Sequence, residues 1–244
     1  GLPRAMYLSG TPAISVTELE NYGLLNSLNG EKQRRALNAF TRMYTPEEFQ
    51  EAALVMRHIS QTGQDSLTAV DLLKKAPDSY TPKVEYASDP LSQSLKGIAQ
   101  VHTAGLGTRI FYAQHGGYDV HGNQQKTQVK LWGEVSRSIT DFFNDLSGNG
   151  AAEEVVMMIF SEFGRRVRDN GNGTDHGSGG GALLIGDRVN GGLYGEYPSL
   201  APSDQLSGDM HFNNDFRSLY SSILDDWFNI QPDPIVNGHF EKIE

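Results

Sequence analysis

Asp119 and His121 stand two residues apart in the stretch His115-Gly116-Gly117-Tyr118-Asp119-Val120-His121-Gly122-Asn123. In an extended segment residues two apart project to the same side, so a carboxylate and an imidazole could face one cation. That pair of ligands suits zinc, manganese or iron. The other reading is plainer: Asp119 or Asn123 caps the helix that follows, and His121 faces solvent. A second stretch reads Ser161-Glu162-Phe163-Gly164-Arg165-Arg166, then a Gly/Asn run, then Thr174-Asp175-His176-Gly177. Neighbouring Asp and His point apart in regular structure, but a glycine-flanked loop can aim both at adjacent metal ions. Carboxylates and imidazoles on such a backbone suit a two-metal site, against the alternative of a surface loop with an ordinary acid and an ordinary histidine. Arg165 or Arg166 could hold a transferring anionic group. His211, in Asp209-Met210-His211-Phe212, is a further candidate ligand or else a structural histidine at a helix start. His58, His102 and His239 fall in helix or tail contexts and receive no role.

Several familiar signatures fail. Gly177-Ser178-Gly179-Gly180-Gly181-Ala182 fits a loose dinucleotide fingerprint but precedes a strand, so no helix N-terminus is there to meet a pyrophosphate. Gly171-Asn172-Gly173-Thr174-Asp175 looks like one calcium-binding nonapeptide repeat, and a single copy cannot stack into a β-helix. There is no Gly-x-Ser-x-Gly elbow and no His-Glu-x-x-His. With no cysteine in the chain, thiolate sites, disulfides and cysteine nucleophiles are excluded.

The elements that must position these residues follow from periodicity. Residues 1–90 read as mainly helical, over 30–44 and 45–76. Thr45-Pro46-Glu47-Glu48 makes a good helix start, and Gly63 is expected to break the second stretch in two. Pro77, Pro82 and Pro90 mark a connecting loop. A helix opening at Asp89-Pro90 should end at Gly105 and Gly107, followed by a strand over Arg109–Ala113. Val135, Ile139, Phe142 and Leu146 lie on one face of a helix over roughly 122–146. The apolar run Val155–Phe160 reads as a strand buried on both sides, Ala182–Ile185 as another, and Asp215–Ile230 as a final helix with Leu219, Ile223, Leu224 and Trp227 on one face. Alternating helices and strands predict an α/β fold, a mostly parallel sheet covered by helices, with a helical N-terminal region. We expect Arg109–Ala113 and Val155–Phe160 to be parallel neighbours, and the loops after them to meet at the sheet's C-terminal edge. The whole chain, 1–244, is expected to form one α/β domain, with the candidate site in residues 91–244.

The net charge of −10 and the lack of a basic run argue against nucleic acid as a partner. A bound metal would still let an acidic chain take an anionic substrate. The longest apolar runs are too short to span a bilayer.

Taken in order, Gly117-Tyr118-Asp119-Val120-His121-Gly122-Asn123-Gln124, Phe160-Ser161-Glu162-Phe163-Gly164-Arg165, Gly173-Thr174-Asp175-His176-Gly177 and Asp215-Phe216-Arg217-Ser218-Leu219-Tyr220 with Asp226-Trp227 resemble the bacterial family called domain of unknown function 1501. That family is similar to the alkaline phosphatase superfamily, whose members carry Asp-His-Gly after a core strand, as at Asp175-His176-Gly177. The resemblance implies an alkaline phosphatase-like fold and metal ligands at Asp119, His121, Asp175 and His176. Glu162 is a lesser catalytic candidate beside Arg165, and His211 matches only loosely. It also implies a divalent metal, zinc or manganese first and calcium second, acting on an anionic small-molecule or polysaccharide ester. A family segment of well over a hundred residues, holding the nucleophile by superfamily analogy, is expected to precede the equivalent of Leu2. The family's twin-arginine export signals imply an extracytoplasmic protein. The chain is expected to be a metal-dependent hydrolase of phosphate or sulfate esters, or a fragment of one, and the alternative is a secreted binding or surface protein that kept the fold without the chemistry.

Overall fold

The computed structural model describes residues 16, 27–43, 54–73, 76 and 80–243. Its helices are α1 (Gly30–Met43), α2 (Leu54–Leu73), α3 (Pro90–Thr103), α4 (Gln124–Gly148), α5 (Phe216–Ser222), which continues into a π-helical segment at Ile223–Trp227, and α6 (Asp233–Val236). Its strands are β1 (Met157–Ile159), β2 (Gly164–Asp169), β3 (Thr174–Gly177) and β4 (Leu183–Ile185). The fold is thus a mixture of helices and small sheets. No described helix is long and apolar enough to cross a membrane. The chain divides into two compact units: the described residues up to His115 with Val135–Ala152, and Gly116–Glu134 with Glu153 onward.

The first unit is helical. Its α3 starts as the sequence predicts: Asp89 is the N-cap, accepting from the Ser92 backbone N–H at 3.0 Å, and Pro90 follows where no amide partner is needed. The Ser92 hydroxyl, fully buried, meets Ser138 of α4 at 2.8 Å, and Arg137 donates to Asp89 at 3.1 Å. The expected face of α4 is buried at Val135, Phe142 and Leu146 and half-buried at Ile139. Asp145 on the same helix has no exposed surface, and its carboxylate accepts from the Tyr80 and Tyr86 hydroxyls, the Lys83 backbone N–H at 2.7 Å and the Asn149 amide at 3.1 Å. Burial first, and the adjoining carboxylate second, push both tyrosine hydroxyls well above their ordinary pKa, so they stay donors. A buried carboxylate is tolerable only when its lone pairs are met in this way.

Three helix and strand expectations are corrected. Gly63 does not divide α2, in which it is buried; the penalty of about 1 kcal/mol for one helical glycine is too small to break a continuous helix. The expected start at Thr45–Glu48 lies outside the described residues. Arg109–Ala113 is not a strand. It has no ladder partner among the described residues, and Ile110 and Tyr112 are both exposed, so this segment lacks the paired, half-buried surface that makes a strand. Val155–Phe160 gives only the three-residue β1, half-buried because a single strand covers it, while Phe160 is exposed.

The parallel sheet is likewise replaced. Both sheets among the described residues have two strands, and both are antiparallel: β1 with β4, pairing Met157 with Ile185 and Ile159 with Leu183, and β2 with β3, pairing Gly164 with Gly177 and Arg165 with His176. For β2 and β3 connection length sets the direction: only four residues separate them, whereas a parallel pair needs a crossover of a dozen or more. The helix expected from Asp215 begins there as α5, and Asp215 is its N-cap, accepting from the Arg217 backbone N–H at 2.9 Å and from its guanidinium at 2.6 and 2.8 Å; a further short helix, α6, follows it.

Two outcomes follow. Asp145→Ala strands several buried donors at once and should cost roughly 3 kcal/mol or more in urea unfolding. Asp89→Ala removes one cap and should cost about 1 kcal/mol; equal losses would contradict the burial argument. The second outcome concerns pH. Arg217's hydrogen bonds draw the Asp215 carboxyl down to about 2. Its contribution to stability is therefore complete above the ordinary carboxylate pKa and is lost as the pH falls from there toward 2. A carboxyl NMR titration should find that low midpoint, and Arg217→Ala, which keeps the backbone N–H bond, should raise it part of the way toward the ordinary range.

Candidate metal centre

The loop ahead of α4 has little regular structure, and side chains of the β2–β3 hairpin hold it. Arg165 donates through one nitrogen to the Thr174 carbonyl at 2.7 Å and through another to the Tyr118 carbonyl at 2.5 Å. Asn170 donates to the His121 carbonyl at 3.3 Å, and the Asn172 side-chain oxygen accepts from the Asn123 N–H at 3.0 Å. Gln124, the first residue of α4, accepts from the Thr174 backbone N–H at 2.6 Å and hydroxyl at 2.9 Å. The hairpin closes by the Asn170 N–H bonding the Gly173 carbonyl at 2.8 Å. Two glycines allow the close approach. A Cβ at Gly173 would lie 2.7 Å from the Gln124 acceptor, and one at Gly164 would overlap the Gly179 carbonyl at 1.8 Å.

This arrangement brings three side chains together. One ligand atom each from Asp119, His121 and His176 lies within 4.8 Å of the others, and all three residues are exposed. His176 Nε2 is 2.8 Å from Asp119 Oδ1, and His121 Nδ1 is 3.5 Å from the same oxygen. The two imidazoles stack with centroids 5.0 Å apart. Phe163 lies almost parallel to the His176 ring, at 4.0 Å and 9°. The hydrogen bond from His176, with a smaller effect of the nearby His121 and Arg165 charges, outweighs the slight desolvation and holds the Asp119 carboxyl below the ordinary carboxylate range.

The donor set fits a divalent transition metal. Bonds of about 2.1 Å in a tetrahedron put neighbouring ligand atoms roughly 3.4 Å apart. The 3.5 Å pair already matches that, and the 2.8 Å pair is a hydrogen bond that a cation would open. Two imidazoles and one carboxylate, exposed on one side, leave room for a coordinated water or substrate.

A family model described as a protein of unknown function (DUF1501) matches residues 8–234. The chain belongs to the DUF1501 family. No curated protein and no solved structure matches it.

Within this DUF1501 chain the sequence candidates separate. Asp119, His121 and His176 come together. Asp175 does not join them: 174–177 is a strand, successive side chains of a strand face opposite ways, and the Asp175 carboxylate accepts from Asn170 at 3.0 Å. His211 is exposed, with its Nδ1 3.2 Å from the Phe212 carbonyl, and it is outside the cluster. Glu162 is exposed at the head of the hairpin. Arg165 is spent on two carbonyls, while Arg166 lies 3.4 Å from Asp209. The residues that sequence reading passed over are Gln124, Asn170, Asn172 and Phe163. A signal existed for the hairpin: Asn170-Gly171 and Asn172-Gly173 are hairpin-turn dipeptides.

Carboxyl NMR should find Asp119 titrating below the ordinary range, with His176→Ala moving it back up. The stability it lends is complete above the ordinary carboxylate pKa and is lost as the pH falls through the lower folded-state value. An unchanged midpoint in the variant would show that the His176 contact is not formed in solution.

Proposed function

We propose that the chain is a metal-dependent hydrolase of phosphate or sulfate esters, with Asp119, His121 and His176 holding one divalent cation. The observation that supports this reading is the meeting of those three side chains, from segments 55 residues apart in sequence at their nearest, on an exposed face. Zinc suits two imidazoles and a carboxylate best, and manganese next. Calcium takes six to eight oxygens, which this set does not offer. A bound cation would polarise an ester oxygen and lower the pKa of a coordinated water.

The chain's own residues have separate tasks in this reading. Asp119 is kept ionised by its neighbours and so is ready as a ligand. Arg165 fixes the loop that carries Asp119 and adds positive charge close to it. Glu162, exposed at the entrance to the hairpin, is the candidate proton acceptor. Kinship with alkaline phosphatases and sulfatases, an anionic ester substrate and an extracytoplasmic location are parts of the same proposal and rest on the motif Asp175-His176-Gly177 and the family resemblance.

Elemental analysis of protein dialysed against zinc or manganese should find one ion per chain, and the ion should be lost in Asp119→Ala and His176→Ala. Because imidazole and carboxylate ligands bind a cation only in their unprotonated forms, uptake should weaken as the pH falls. Aryl phosphate or aryl sulfate hydrolysis should depend on the ion and vanish in the same variants. A wild-type chain that takes up no metal would overturn the proposal. Metal uptake without turnover would fit either a fragment whose nucleophile lies in another part of the family's length or a binding protein, and turnover by a longer chain carrying that part would separate the two.

A further inference from the structure

Resting on that reading of the site, we infer that Phe163 is a positioning residue for the metal centre: its ring fixes the plane of the His176 imidazole. An exposed histidine on a two-residue-wide hairpin is free to turn about two side-chain bonds, and a ligand that turns must be ordered again each time a cation binds. His176 is such a residue, with 42% of its side chain exposed. The hydrogen bond to Asp119 fixes the direction of Nε2 but leaves the ring free to rotate about that line. Two rings face the imidazole, and Phe163, at 4.0 Å and 9°, is nearer and more nearly parallel than His121, at 5.0 Å and 28°, so it constrains this remaining freedom most.

Phe163 is itself held. The Arg165 guanidinium carbon lies 5.1 Å from the Phe163 ring centre, and that guanidinium is anchored on Thr174 and Tyr118 carbonyls. The contact passes from a fixed cation to a ring, and from the ring to an imidazole. Gly164, directly after Phe163, lets the backbone pass against the Gly179 carbonyl, where any Cβ would collide. An aliphatic side chain could fill the same volume but offers no flat face to the imidazole. Groups that orient a metal-bound histidine without touching the metal typically change affinity 10- to 100-fold.

Cobalt(II) serves as the probe, since it binds such ligands and reports their geometry by its visible spectrum. Phe163→Leu should bind cobalt about 10- to 100-fold more weakly than wild type and show an altered spectrum, while Phe163→Tyr, which keeps the ring, should retain both. Thermal melts confirm folding of each variant. If the wild type takes up no cobalt, the site itself is refuted and this inference with it. If the wild type binds and Phe163→Leu matches it in affinity and spectrum, the inference fails while the site stands. Should Phe163→Leu not fold, wild-type proton NMR decides. Phe163–His176 ring contacts that persist when zinc is added uphold the role, and rings that separate in the zinc form overturn it.

Discussion

The candidate site exists because the backbone of residues 118–123 satisfies little of itself. It is neither helix nor strand, and beyond the Val120 N–H bond to the Tyr118 carbonyl at 2.9 Å its groups turn to outside partners. Arg165, Asn170 and Asn172 supply them from the hairpin, and Gln124 returns the service to Thr174. The Arg165 bond to Tyr118 joins positions 47 residues apart. Asp119 and His121 ride on that stitched loop, and His176 rides on the hairpin that does the stitching. The ligand geometry is a by-product of meeting backbone hydrogen bonds. This is why a guanidinium expected to hold substrate is found holding main chain.

The helical unit obeys the same rule with a different solution. There the polar group is a buried carboxylate, and Asp145 draws a tyrosine, a second tyrosine, an amide and a backbone N–H from residues 80–86 and 149 onto α4. Neither arrangement is a hydrophobic one. The same unit also buries an apolar face, with Leu91, Leu95 and Ala99 of α3 and Val135, Phe142 and Leu146 of α4 among its buried residues.

How much of this could be read beforehand differs by element. The α3 cap, the buried stripe of α4 and the α5 cap were legible, because each is a local pattern whose physical cause lies within one or two turns. The β2–β3 hairpin was hidden by its composition: Val167 is its single large apolar residue, so no alternation announced it. The expected strand at Arg109–Ala113 failed for the opposite reason. Its residues have strand-like side chains, but a strand is a property of a pair, and no described segment pairs with it.

The sequence by itself determined the chemical inventory: histidines and acids in two glycine-rich stretches, no thiol, an acidic surface, and membership of one family by motifs in order. It also determined the starts of α3 and α5, whose cap contacts join residues two or three apart. Only the tertiary structure decided which ligands meet. It joined Asp119 and His121 to His176 and turned Asp175 away, because the pleat of β3 sends adjacent side chains to opposite faces. It also decided that the sheets are antiparallel pairs. Strand direction and ligand convergence both depend on distant partners, and no local run of residues encodes a partner's position.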